Sequence, residues 1–226
     1  AGSGRRFGRE ENKLFTQLGH DAIWVHSAAR LCSHARVSRI VMPVSQADRS
    51  RFESEFAAAV ANWNIELVDG GMERTESVWS GVQRVAGDPS IELIAIHDAA
   101  RPLVRNEDLD SVFGKADQTG AAILATPVNA TVKQSIDAGA SCHTVDRSTL
   151  WLAQTPQVFR VSVLEDAYAK HRGRPATDDA ELVQRIGIDV ALVPGSADNI
   201  KITRPDDLVV AEAILKSQNE SKHAQY

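Results

Sequence analysis

The sequence predicts an α/β domain of the Rossmann-like, doubly wound type, with a mostly parallel sheet. Three observations carry that reading. Short runs of branched apolar residues recur at 40–44, 65–68 and 91–96, as buried strands require. Stretches with helical spacing separate them, and strands alternating with helices indicate βαβ units. With 226 residues, the chain suits one domain of this class, spanning 1–226.

Each element has its own signal. Residues 21–33 place apolar side chains at helical spacing before the strand at 40–44. An alanine-rich stretch at 49–62 reads as a helix, followed by the strand at 65–68. The turn Asp69-Gly70-Gly71 then leads into a helix at 76–85. After the strand at 91–96 come a helix at 107–118 and a strand at 121–126. The rhythm breaks at 128–145, where two extended runs flank Asp137-Ala138-Gly139-Ala140. Two short strands around such a turn make a β-hairpin, inserted as an arm over about 128–146. Helices at 162–171 and 178–186, a strand at 189–193 and a helix at 205–216 complete the domain. The polar tail 217–226 is expected to fray.

Composition narrows the function. The formal net charge is −5, so no nucleic-acid surface is expected and any positive field is local. No apolar run approaches the length of a membrane span, and no signal peptide is visible. Cys32 and Cys142 are too few and too distant for a disulfide framework, which points to a reducing cytoplasm.

The chain opens on Ala1-Gly2-Ser3-Gly4-Arg5-Arg6-Phe7-Gly8, with Lys13 following. Glycines let a backbone turn tightly and aim bare N–H groups at an anion, so this loop can hold polyphosphate. Phe7 breaks the dinucleotide fingerprint, and no Gly-Lys-Ser/Thr follows to make a P-loop. A flexible basic linker would have the same composition. Loops of this kind follow a strand, which is expected upstream of residue 1.

Ala95-Ile96-His97-Asp98-Ala99-Ala100-Arg101-Pro102 begins in a strand and ends in two charges. In open α/β sheets ligands sit beyond the carboxyl ends of strands, and Asp98 falls there. Its carboxylate can hold Mg²⁺, or it can cap the next turn and pair with Arg101. His97 reads as a packed, hydrogen-bonded residue rather than a base. In Asp198-Asn199-Ile200-Lys201-Ile202-Thr203 one face is apolar and the other presents Lys201 and Thr203. Lys201 is either solvated or turned into the site. Gly70-Gly71 would let a flat base approach the backbone near Ser77, or simply make a tight turn. Arg147 and Thr155 suit a phosphate clamp, a guanidinium fork plus a hydroxyl, which Thr131 could join.

The motifs A-G-S-G-R-R-F-G…K, D-G-G-x-E-R-x-x-S-V, H-D-A-A-R-P, D-R-x-x-L-W-x-x-Q-T-P-Q, T-D-D-A and D-N-I-K-I-T-x-P-x-D-L occur in this order. Together they resemble the 2-C-methyl-D-erythritol 4-phosphate cytidylyltransferase family of the non-mevalonate isoprenoid pathway, over nearly the whole chain. The resemblance implies transfer of a cytidylyl group from CTP to methylerythritol phosphate, with release of pyrophosphate and with Mg²⁺ as cofactor. It assigns catalysis to Arg6, Lys13 and Lys201, and nucleotide binding to Ala1, Gly2, Ser3, Gly4, Gly71, Ser77, Asp98 and Ala99. It gives Arg101, Thr131, Arg147, Thr155 and Thr177 to the acceptor, and the metal to Asp98. It implies a homodimer through the hairpin arm. Two positions depart from the family pattern: Asn12 replaces a proline before the loop lysine, which predicts a more mobile loop, and Ala130 replaces an aspartate before Thr131. A cytidylyltransferase for another polyol phosphate, such as ribitol 5-phosphate, would share the CTP half. A catalytically silent nucleotide-binding module would be expected to lack Lys13 or Lys201.

Overall fold

The computed structural model describes residues 12–171 and 173–223. The loop residues Ala1, Gly2, Ser3, Gly4 and Arg6, and the strand expected before them, lie outside that range.

The described chain begins with a single 3-10 turn, Lys13–Phe15, and a short antiparallel pair, β1 (Gln17–Leu18) and β2 (Asp21–Ala22). Helix α1 (Ile23–Cys32) leads to β3 (Val41–Val44), α2 (Gln46–Glu53), α3 (Ala57–Asn62) and β4 (Glu66–Asp69). Next come α4 (Arg74–Val85), β5 (Leu93–Ile96), α5 (Asn106–Thr119) and β6 (Ala121–Pro127). The antiparallel pair β7 (Val132–Gln134) and β8 (His143–Val145) precedes β9 (Trp151–Arg160). The fold closes with α6 (Val161–Ala169), α7 (Asp179–Arg185), β10 (Ala191–Pro194) and α8 (Pro205–His223).

The central sheet has the order β10-β6-β9-β5. Strand β10 runs parallel to β6, and β9 runs antiparallel to both β6 and β5. Hence β5, β6 and β10 share one direction and β9 alone opposes them, while β3 and β4 form a further parallel pair. The α/β class and the mostly parallel sheet agree with the sequence.

Both faces of the sheet are covered, and β6 shows why. Successive side chains on a strand point to opposite faces. Ala121 and Ile123 pack with Phe159 against Leu164, Tyr168, Leu182 and Val183 of α6 and α7. Ala122 and Leu124 pack against Leu109, Val112 and Phe113 of α5. Gly120 ends α5 in the left-handed region at φ 82°, where a side chain would be strained.

Three elements differ from the sequence expectation. The helix at 49–62 is two helices. Ser54 donates to the Ser50 carbonyl at 2.6 Å, a bond that competes with the helical ladder, and the chain breaks before α3. The ten-residue strand β9 covers a stretch that carries no strand signal. The tail does not fray at residue 217: α8 continues to His223, because Gln218 donates to the Leu103 carbonyl at 3.1 Å and accepts from Arg30 at 2.7 Å. No helix among the described residues is long and apolar enough to cross a membrane.

Candidate active site

The site is built around the carboxyl end of β5. Asp98 follows that strand directly, and its side chain is 17% exposed. Its Oδ2 lies 2.7 Å from Lys201 Nζ and 3.8 Å from Arg101 Nε, and its Oδ1 lies 4.0 Å from Arg74 Nε. Burial alone would raise the Asp98 pKa, but the Lys201 ammonium and the Arg74 guanidinium outweigh it and hold the carboxyl below its ordinary range.

His97 and Thr155 brace the turn from beneath. Burial pushes the His97 pKa down to about 4, so the ring is neutral at pH 7. Its Nε2 faces the Arg101 carbonyl at 3.0 Å, which only an N–H can satisfy. Its Nδ1 is therefore the acceptor, and it takes the Thr155 hydroxyl proton at 3.2 Å. The same hydroxyl oxygen accepts from Asp98 N at 3.0 Å. Thr155 is 5% exposed, and this chain of bonds makes it a support for Asp98. His97 is the packed, hydrogen-bonded residue that the sequence suggests.

The lysine loop is fixed just as firmly. Asn199, fully buried, donates to Gln154 Oε1 at 3.1 Å and to the Thr155 carbonyl at 2.9 Å. Arg101 donates to the Asn199 carbonyl at 2.6 Å and to the Ala153 carbonyl at 3.4 Å, so its guanidinium clamps the loop to β9. Ile202 N donates to the Ala100 carbonyl at 2.9 Å, and the Ile202 side chain is fully buried. Lys201 thereby meets Asp98, although its side chain is also 41% exposed. Lys13 reaches the same loop, donating to the Ile202 carbonyl at 2.6 Å.

The loop for which mobility is expected lies outside the described residues, and Asn12 caps the 3-10 turn Lys13–Phe15. Its Oδ1 accepts from Leu14 N at 3.1 Å, and its Nδ2 donates to Asp48 at 2.9 Å. Phe15 continues the anchor by stacking on Phe56 at 5.5 Å between ring centroids.

The glycine turn before α4 is closed on itself. Gly71 N donates to Ser77 Oγ at 3.0 Å, and Ser77, 2% exposed, donates to the Glu73 carbonyl at 3.0 Å. A Cβ on Gly71 would lie 2.4 Å from Glu76 Cβ, so the position demands glycine. Ser77 thus shapes the loop that bears Gly71. Ala99 is held by its carbonyl, which accepts from Ser27 at 2.8 Å.

Lys13, Arg74, Ser77, Asp98, Lys201 and Thr203 all line one cavity of about 1000 Å³. The structure therefore brings both candidate lysines and the candidate metal carboxylate together. The acceptor candidates are more scattered. Thr131 and Arg147 are exposed beside the β7–β8 pair, where Arg147 bonds the Asn129 carbonyl. Thr177 is exposed and donates to Glu181 at 2.9 Å.

Sequence reasoning passed over the residues that hold these groups in place. Gln157, 1% exposed, accepts from Asp179 N and Ala180 N at 3.2 and 3.0 Å and donates to Asp178 at 2.8 Å. It pins the start of α7, as Gln154 pins the lysine loop. Arg74 pairs with Asp179 at 2.7 Å. These four residues lie inside the quoted motifs, but their partners are remote in sequence.

Comparison with known proteins fits this geometry. The family model "IspD: 2-C-methyl-D-erythritol 4-phosphate cytidylyltransferase" matches residues 1–217. A protein of that name from Rhodopirellula baltica is 50% identical over 224 residues, covering 95% of this chain and 91% of its own. One from Bacillus licheniformis is 38% identical over 225 residues, covering 99% and 96%. Among solved structures, the 2-C-methyl-D-erythritol 4-phosphate cytidylyltransferase of Thermus thermophilus is similar with a TM-score of 0.73 and 30% identity, covering 90% of this chain and 93% of its own. The 4-diphosphocytidyl-2C-methyl-D-erythritol synthase of Anaerococcus prevotii is similar with a TM-score of 0.80 and 26% identity, covering 96% and 94%. The chain is a member of the 2-C-methyl-D-erythritol 4-phosphate cytidylyltransferase family.

Proposed function

We propose that this chain transfers the cytidylyl group of CTP to 2-C-methyl-D-erythritol 4-phosphate. An oxygen of the acceptor phosphate attacks the α-phosphorus, the bond to the bridging oxygen of the β-phosphate breaks, and pyrophosphate leaves. The nucleophile is already ionised at neutral pH, so no strong base is required. The work is to align two polyanions and to stabilise the charge of the transition state. The neutral, enclosed His97 suits that chemistry.

Lys13 and Lys201 are placed on the α-phosphate oxygens, with Arg6 as a third cation. Gly71 and the loop shaped by Ser77 meet the base, Ala99 lies beside the nucleotide, and the glycines at 2 and 4 with Ala1 and Ser3 hold the triphosphate. Arg147 and Thr131 take the acceptor phosphate with Thr177, while Arg101 and Thr155 set the wall behind it. The observation that carries the reading is the convergence of Lys13, Lys201 and Asp98 on one cavity.

The donor chemistry suits Mg²⁺. No cluster of three or more metal-ligating side chains exists among the described residues, and Mg²⁺ asks for only one or two carboxylates plus substrate phosphates and water. Asp98 is a hard oxygen donor whose Oδ1, 4.0 Å from Arg74 Nε, is too far from that group for a hydrogen bond. Bound there, the ion would neutralise phosphate charge.

We further place the reaction in the cytoplasm, which suits free Cys32 and Cys142, and in a homodimer. The exposed β7–β8 pair, with Ile136 90% exposed at its turn, is the surface offered to the second copy. The test is pyrophosphate release from CTP with methylerythritol phosphate and, separately, ribitol 5-phosphate. Release with the first acceptor alone supports the proposal; release with ribitol 5-phosphate alone overturns the acceptor assignment, and none with either overturns the activity.

A further inference from the structure

We infer that Arg74 is a positioning residue for nucleotidyl transfer, acting on Asp98 while anchored at its far side by Asp179 and Tyr168. The inference rests on the reaction proposed above.

Asp179 opens α7 and is fully buried. A buried carboxylate needs a counter-charge, and Arg74 Nη2 supplies it at 2.7 Å. The Tyr168 hydroxyl donates to the other oxygen of Asp179 at 2.7 Å. Burial and the adjacent Asp179 raise the pKa of that hydroxyl, so it stays a donor. One edge of the guanidinium is thus held by the core. Its Nε stands 4.0 Å from Asp98 Oδ1, a charge contact without a hydrogen bond, while Lys201 holds Oδ2 at 2.7 Å. Burial works against the Arg74 cation, but the Asp179 and Asp98 carboxylates prevail and raise its pKa.

A residue needed only to neutralise Asp179 would have no reason to face a second carboxylate. Arg74 does so from the first turn of α4, between Gly71 and Ser77. It therefore links the glycine turn, the Asp98 carboxylate and the start of α7, next to Thr177. Without it, no cation among the described residues opposes from the Oδ1 side the pull of Lys201 and Arg101 on Oδ2, and Asp98 can swing from its working orientation.

The experiment compares Arg74→Met, Arg74→Lys and the double variant Arg74→Met/Asp179→Asn. Pyrophosphate release gives kcat and the KM for CTP, and thermal melting gives Tm. Residues that orient a metal-ligating side chain, the role proposed above for Asp98, typically contribute about 10–100-fold. Arg74→Met is expected to lose that much in kcat, with a smaller change in KM and a lowered Tm. The double variant removes the uncompensated buried charge, so Tm recovers while kcat stays low. Arg74→Lys keeps the charge but not the two-edged fork, and kcat falls between wild type and Arg74→Met. Recovery of kcat together with Tm in the double variant would show that Arg74 serves stability alone and overturn the inference. Wild-type turnover, measured alongside, reports on the reaction itself, so failure of the two ideas is told apart.

Discussion

The Asp98 centre is held by bonds that cross the chain, whereas the β7–β8 pair is held by bonds to its own neighbours. At the centre, Lys13 reaches 189 residues along the sequence to the Ile202 carbonyl, Arg101 reaches 98 to Asn199, and Asp98 N reaches 57 to Thr155. Around the strand pair, Ser135 and Ser141 bond Asp137 at separations of 2 and 4, Ser148 bonds Asp146 at 2, and Lys133 bonds Thr144 at 11. Preorganisation therefore resides at the Asp98 centre. Charges meant for a transition state must be fixed before substrate arrives, and the folded core does this for Lys13, Lys201 and Asp98. Arg147 and Thr131 have no such frame among the described residues of one chain.

The largest effect separates the two regions. Lys13→Ala and Lys201→Ala should each lower kcat by about 10²–10³, the usual cost of one transition-state donor, with the variants still folded by circular dichroism. Near-normal turnover in either would remove that lysine from the mechanism and break the contrast.

Arg147→Lys should raise the KM for the acceptor about tenfold, the equivalent of one charge-assisted hydrogen bond. The KM for CTP and the Tm should hardly move, because the side chain is exposed. If the strand pair serves a second copy, mixing Arg147→Ala with Lys13→Ala subunits should restore activity, since one site per mixed dimer keeps both residues. No recovery in mixed dimers shown to have formed would assign Arg147 to its own subunit.

A pH series tests the centre by a different route. His97 titrates at about 4 in the fold against an ordinary 6.5, so the unfolded chain binds the extra proton first as pH falls. Its contribution is fully present above pH 6.5 and is lost between 6.5 and about 4, with a slope of at most about 1.4 kcal/mol per pH unit. Urea melts across that window should show the slope, and His97→Gln should flatten it. Equal slopes in both proteins would contradict the lowered pKa of His97.

The smallest effect concerns Asn12. Asn12→Ala should cost about 1 kcal/mol through the lost cap and reduce turnover modestly by loosening Lys13. Asn12→Pro should be better tolerated, since Asn12 already has φ −64°, the angle proline imposes. If Asn12→Ala melts like the wild type in denaturant, the cap is not what secures the turn.

Much of this architecture is legible in the sequence, because branched runs and helical spacing report burial directly. The exceptions share a cause. Strand β9 buries Gln154, Thr155 and Gln157, polar residues that carry no strand signal, and Pro156 argues against a strand. They are tolerated because each polar group bonds a neighbouring loop, and because the register with β6 shifts between Ile123 and Ala125, freeing the backbone there. The continuation of α8 depends on Gln218 finding Leu103 and Arg30. The motifs mark Asp98, Lys13 and Lys201, but the pairing of Arg74 with Asp179 depends on how α4 and α7 pack. Such remote contacts leave no local pattern to read.

Strand β9 begins at the rim and runs through the core to an exposed Arg160. Its first three residues, Trp151 to Ala153, are exposed, and the next six are buried. In amide-exchange terms it is a gradient along a single backbone. Hydrogens near Phe159 should exchange only when the whole domain opens, while those near Trp151 exchange through local fluctuation. The lag between the two ends would time how freely the rim breathes while the floor beneath Asp98 stays shut.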